Sequence, residues 1–198
     1  MKKLVLLGCV FLAACSTLKT SGEYIMRGNG YLKDGKAEAA IDAFNKALVL
    51  NSSNMDAYEA RGAAYFFSGQ YDLAQADFER VLNTDPYRIS VYTAYASVLA
   101  SKNDFNNALK VLNLVDKLGK ATPETYFARA GVYYMLGRYD KAVADYTRVL
   151  QERVSADVLN ARGNAYAQWG KPQQAQRDFE QARTPNIPQH LNAYTELK

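Results

Sequence analysis

The sequence predicts an all-α fold: a solenoid of about five helix-turn-helix hairpins closed by a short C-terminal capping helix. Three observations carry that prediction. Five segments of like pattern start at Arg27, Arg61, Tyr95, Arg129 and Arg162, in steps of 34, 34, 34 and 33 residues. A fixed period in this range marks repeats whose single unit cannot bury its own apolar face. Within a segment such as RGAAYFFSGQYDLAQADFERVL from Arg61, small and apolar residues recur at helical spacing in two stretches on either side of a Gly. The chain is also long and apolar enough to build a core, with 198 residues of which 48% are hydrophobic.

The first element, residues 1–14, reads as a leader. Lys2 and Lys3 precede a nine-residue apolar run from Leu4 to Leu12, followed by small residues. A membrane-spanning helix needs roughly 20 apolar residues, so this run fits a cleaved secretory signal instead. The tetrapeptide Leu12-Ala13-Ala14-Cys15 resembles the bacterial lipobox. That resemblance implies cleavage before Cys15 and acylation of its thiol and new amine, with two or three chains holding firmly where one is marginal. Residues 15–22 then form a short lipidated tether. Ser16 stands where lipoproteins retained in the inner membrane tend to carry Asp. The resemblance therefore implies the periplasmic face of the outer membrane of a Gram-negative bacterium. Loss of Lys2 and Lys3 leaves 22 basic against 20 acidic residues, a balance that gives no footprint for nucleic acid.

The repeats follow as residues 21–54, 55–88, 89–122, 123–155 and 156–189, within a domain over 23–198. In the second, Tyr58, Gly62, Tyr65 and Gly69 stripe a first helix and Ala74, Phe78 and Val81 a second. Gly69 ends the first helix in a left-handed turn; in the third repeat Asn103, which tolerates positive φ, takes that place. Pro123 opens the fourth repeat and Pro172 falls in the first turn of a helix, where the missing N–H costs little. The segment PQHLNAYTELK, residues 188–198, can place Leu191, Tyr194 and Leu197 on one face and cap the array, with His190 at its start.

These segments resemble tetratricopeptide (TPR) repeats over about residues 21–189. The resemblance implies that Gly62 and Ala74 are small because the two helices approach closest there, and likewise Gly28 and Ala40, Ala130 and Ala142, and Gly163 and Ala175. There are departures. Ser52, Lys120 and Val154 stand where the family favours Pro, and Leu118-Gly119-Lys120 reads as a Gly-terminated helix. Arg27, Arg61, Arg129 and Arg162 stand where the family more often has Leu. Asp77, Asp145 and Asp178 lie sixteen residues after three of them, an offset that crosses the hairpin. We therefore expect ion pairs Arg61 to Asp77, Arg129 to Asp145 and Arg162 to Asp178.

The same resemblance implies a concave groove lined by the first helices. Its positions carry Asn29 with Leu32 and Lys33; Glu59, Ala63, Phe66 and Phe67; Thr93, Ser97 and Ser101; Phe127, Gly131, Tyr134 and Met135; and Asn160, Asn164 and Gln168. The aromatic residues and Met135 suit apolar anchoring of a partner segment, and the two Asn, one turn apart, suit hydrogen bonding to a peptide backbone. Lys33 is the one basic residue at these positions, so a clamp for free carboxylates is not expected there. One His, no GxSxG elbow, no Gly-rich phosphate loop after a strand and no Cys or His cluster argue against an enzyme, a metal or another cofactor, and against a small-molecule substrate. By resemblance to the TPR lipoproteins of pilus assembly, the type IV pilus pilotins and the tight-adherence Flp group, the expected partner is a secretin subunit or another component of a pilus or secretion machine. The alternative is an envelope adaptor that docks peptidoglycan hydrolases or proteases.

Overall fold

The computed structural model describes residues 19–184. Cys15, most of the tether, His190 and the expected cap over 188–198 lie outside the described residues. Ten helices and no strand occur among the described residues: α1 Ser21–Lys33, α2 Ala37–Leu50, α3 Met55–Phe67, α4 Tyr71–Thr84, α5 Ile89–Ser101, α6 Phe105–Lys117, α7 Pro123–Met135, α8 Tyr139–Glu152, α9 Ala156–Gln168 and α10 Pro172–Ala182. The fold class is all-α, built from five helical hairpins.

The period is visible in the backbone. Gly35, Gly69, Asn103, Gly137 and Gly170 all have φ between 62° and 77°. Each follows the first helix of a hairpin and lets the chain reverse without a Cβ penalty, or, at Asn103, with the residue type that tolerates it best. The amide three residues past the helix reaches back to a carbonyl of the last turn, as Lys36 N–H to Tyr31 O at 2.8 Å and Arg138 N–H to Tyr133 O at 2.9 Å. That bond satisfies one of the carbonyls the helix end leaves open.

Helix starts are marked unevenly. The hydroxyl of Thr20 accepts from Glu23 N–H while Glu23 accepts from Thr20 N–H, a reciprocal cap on α1. Asn54, Thr122 and Ser155 accept from the amides of Ala57, Thr125 and Val158 and start α3, α7 and α9. The first helix of the third hairpin, α5, follows Arg88, which makes no side-chain cap. Among second helices, α6 is capped by Asp104, whereas Lys36, Arg138 and Lys171 provide no such bond. Tight turns from a helix already in place define those starts instead.

The chain divides into two compact units, one up to Val81 and one from Leu82. In the first unit, Ala40, Ile41, Phe44 and Ala64 form a buried cluster flanked by Ile25, Tyr31, Leu32, Ala60 and Tyr65. In the second, Ala96, Leu99, Ala108, Leu109, Leu112 and Val132 form one cluster. Ala130, Ala142, Val143, Tyr146, Val149, Leu150, Val154, Val158, Leu159 and Ala165 form another. Each cluster draws on consecutive hairpins of its unit, so a hairpin completes its core only with its neighbour.

The close approach within a hairpin has a more specific basis than the small pairs Gly28/Ala40 and Gly62/Ala74 suggest. A Cβ built on Gly62 would lie 2.9 Å from Cε1 of Phe78, and one on Gly163 would lie 2.6 Å from Cε1 of Phe179. At Gly28 it would enter the ring of Phe44. In all three the ring lies sixteen residues on. Where the small residue is Ala, the partner at that offset changes: Leu112 shares a core cluster with Ala96, and Tyr146 with Ala130. The glycines are places for a ring edge to meet a backbone.

Candidate protein-binding cleft

Three of the hairpins are crossed by the same charged link. Arg61 donates through Nε and Nη2 to Asp77 at 2.8 Å each, Arg129 to Asp145 at 2.7 and 2.9 Å, and Arg162 to Asp178 at 2.8 and 2.7 Å. The forked geometry suits two parallel bonds to a carboxylate. The Asp side chains are only 6–8% exposed and the Arg side chains 8–19%, so these pairs are largely removed from water. The remaining Nη1 reaches the second helix of the preceding hairpin: Arg61 to Asn45 at 2.7 Å, Arg129 to Asn113 at 3.0 Å and to Asp116 at 2.7 Å, Arg162 to Thr147 at 3.1 Å. One guanidinium therefore ties three helices. The bond to Asp145 raises the Arg129 pKa further above its usual value, and Arg129 in turn holds the Asp116 carboxyl below the carboxylate range.

In the first unit, Arg61 also lies over the rings of Tyr58 and Tyr65, at 5.2 and 5.6 Å from their centroids, and Arg80 donates to the Tyr58 hydroxyl. Among the expected groove residues of this unit, Asn29 and Phe67 are exposed, while Glu59, Ala63 and Phe66 are half-buried. Phe67 is 71% exposed and meets Phe66 edge to face at 5.8 Å. Phe66 turns toward Tyr71, the first residue of α4, at 5.9 Å. It thus serves the turn of its own hairpin as well as the surface.

The second unit holds a cleft of about 770 Å³. One wall comes from the first helices α5 and α7, with Thr93, Ser97, Phe127 and Gly131. The other comes from the end of α8, the connector and the start of α9, with Val149, Glu152, Arg153, Asp157 and Val158. Phe127 is 41% exposed and leans edge to face on Tyr146 at 5.5 Å, which fixes the ring and leaves its outer face to the cleft. Burial pushes the Tyr146 phenol up to about 12, with a smaller contribution from Tyr134, so that ring stays neutral beneath Phe127. Thr93 and Thr125 hydroxyls meet at 3.2 Å and lock α5 to α7 beside the cleft.

Three carboxylates, Glu124, Glu152 and Asp157, and one guanidinium, Arg153, rim the cleft. A hydrogen bond from Thr122 holds the Glu124 carboxyl below its usual range, with help from its own backbone N–H and from Arg153. The rim is acidic over an apolar floor.

Of the expected groove residues in this unit, Thr93, Ser97, Phe127 and Gly131 line the cleft. Tyr134 and Met135 lie farther along α7, where Tyr134 packs on Tyr139 at 5.5 Å and Met135 is 62% exposed. Asn160 and Asn164 are exposed on α9 outside the cleft lining. The second wall lies outside the groove positions of the first helices. The signal that marks it is the 33-residue step between Arg129 and Arg162, which leaves only Arg153, Val154 and Ser155 between α8 and α9. No group of three His, Cys, Asp or Glu able to hold a metal occurs among the described residues, and none of their helices is long and apolar enough to cross a membrane.

Repeated hairpins, with an open cleft among those of the second unit, define a helical-repeat fold. Family models described as TPR repeat and tetratricopeptide repeat match residues 28–69, 56–88, 123–153 and 156–182, together more than half of the chain. The chain belongs to the tetratricopeptide-repeat family. It is 28% identical to human Tetratricopeptide repeat protein 6 over 160 residues, 79% of this chain and 31% of that protein. Anaphase-promoting complex subunit 3 of Schizosaccharomyces pombe is 23% identical over 159 residues, again 79% of this chain but 24% of its own length. The chain thus spans a third or less of these relatives. The crystal structure of a thermophilic TPR protein from Thermus thermophilus has the same fold, with a TM-score of 0.73 at 19% identity over 82% of this chain and 90% of that one.

Proposed function

We propose that the chain is an assembly scaffold, tethered to the outer membrane through lipid on Cys15, whose cleft between α5, α7 and the start of α9 holds a segment of a partner protein. The observation that carries the binding role is Phe127, a ring braced on Tyr146 yet open to a cleft with an acidic rim. Such a surface favours a partner segment with an apolar anchor next to Lys or Arg. Kinship with a subunit of a multi-protein complex supports an assembly role. The tether rests on the lipobox-like Leu12-Ala13-Ala14-Cys15 and on Ser16. Acyl chains on a binding scaffold raise the partner's effective concentration at the bilayer, which is what assembly of an outer-membrane ring requires. Accordingly the partner is a secretin subunit or a related pilus or secretion component.

The test compares wild-type cells with cells carrying Cys15→Ser or Phe127→Arg. Cys15→Ser is expected to move the protein out of the outer-membrane fraction, and both variants are expected to lose the high-mass secretin ring on a non-denaturing gel. Rings that persist in both variants would remove the secretin reading. Altered peptidoglycan-hydrolase levels with intact rings would instead assign the cleft to a hydrolase partner.

A further inference from the structure

The first hairpin has the arginine of the charged link but not its carboxylate. Ala43 occupies the place that Asp77, Asp145 and Asp178 hold in the second, fourth and fifth hairpins, sixteen residues after Arg27. Arg27 is exposed; its Nε donates to the Tyr31 hydroxyl at 3.0 Å and its guanidinium lies 5.6 Å from that ring. No carboxylate meets it among the described residues, and none of them provides the Nη1 contact that Asn45, Asn113 and Thr147 give to the later arginines. Where the Asp would stand there is a hollow of about 150 Å³ lined by Tyr24, Arg27, Tyr31, Asp42, Ala43 and Lys46 among others.

We infer that this hollow is a second binding site, one that takes an Asp or Glu side chain of a partner protein between Arg27 and Lys46. The three complete hairpins show what an arginine in this position does when a carboxylate is in reach: it binds it through two parallel bonds. Size and charge set the ligand. The hollow has room for a side-chain carboxylate over the methyl of Ala43. Two cations against Asp42 leave one net positive charge, which suits a monoanion and disfavours a phosphate dianion facing Asp42. The rings of Tyr24 and Tyr31 flank the aliphatic stem of such a side chain. This site belongs to the first unit and stands independently of the cleft in the second.

The test uses the full chain in detergent and follows the Arg27 Nε–Hε resonance by NMR. The probe is a blocked tripeptide with a central glutamate; a blocked peptide with only a free C-terminal carboxylate and inorganic phosphate serve as comparisons. A saturable shift at millimolar glutamate peptide is expected, larger than with either comparison. The substitution Ala43→Asp is expected to fill the hollow from within, abolish the peptide shift and raise Tm by about 2–4 °C. Arg27→Gln is expected to abolish binding of the same peptide, read on neighbouring amides. An unmoved Arg27 signal, an equal or larger response to phosphate or to the C-terminal carboxylate, or a peptide shift that survives Ala43→Asp would each overturn the proposal.

Discussion

Replacing Asp145 by Ala is expected to destabilise the second unit by about 3 kcal/mol, the lower end of the cost of stripping one partner from a buried ion pair. The loss comes from what is left behind. Arg129, whose side chain is 8% exposed, would lose two bonds of 2.7 and 2.9 Å and retain Asp116 and Asn113. Those residual partners lie on the preceding hairpin, so they keep the guanidinium from being fully orphaned but no longer tie α7 to α8. Removing both charges together, as Arg129→Met with Asp145→Leu, is expected to recover most of the loss, because similarly shaped apolar groups carry no desolvation cost. Urea unfolding with a midpoint change at constant slope is the measurement. A loss below about 1 kcal/mol in Asp145→Ala would mean a screened surface pair and would contradict the structural role.

The second large effect belongs to Phe78→Ala, with an expected cost of about 3–5 kcal/mol. Phe78 is 1% exposed and its ring edge fills the space that Gly62 leaves on α3. Truncation therefore opens a void between two backbones that α-helical geometry holds apart, and the glycine offers no side chain to refill it. Phe78→Leu is expected to cost clearly less, since Leu112 sits at the corresponding place in the third hairpin beside Ala96. Thermal and urea midpoints of the two variants check the ordering; equal costs would show that the ring is not specifically fitted.

Much of this architecture was legible in the sequence because the features that set it are local or recur at fixed offsets. The turn residues Gly35, Gly69, Asn103, Gly137 and Gly170 announce themselves by residue type and spacing. An Arg and an Asp sixteen apart must face each other if the two helices reverse at such a turn. The third contact of each arginine was not read from the spacing within a hairpin, since Asn45, Asn113 and Thr147 belong to the preceding one; they do recur at one position of the repeat, 16, 16 and 15 residues before their arginines, but as different polar residue types. Nor was the role of Phe66 and Tyr134 in bracing Tyr71 and Tyr139: a five-residue offset across a turn looks, on a helical wheel, like an open face. The cleft's second wall was missed for a related reason. A stripe drawn along the first helices leaves out the end of α8 and the three-residue connector, which close on Phe127 and Gly131.

The measurement that bears most directly on the binding role is site-specific photocrosslinking in living cells. A photoreactive residue is placed in turn at Ser97, Phe127 and Gly131, inside the cleft, and at Ala144, exposed on α8 outside the cleft lining. The three cleft positions are expected to yield one and the same partner polypeptide, crosslinked through a segment with an apolar residue beside Lys or Arg, while Ala144 yields none. Adducts that are absent from the cleft positions, or that form equally well from Ala144, would contradict a binding role for the cleft.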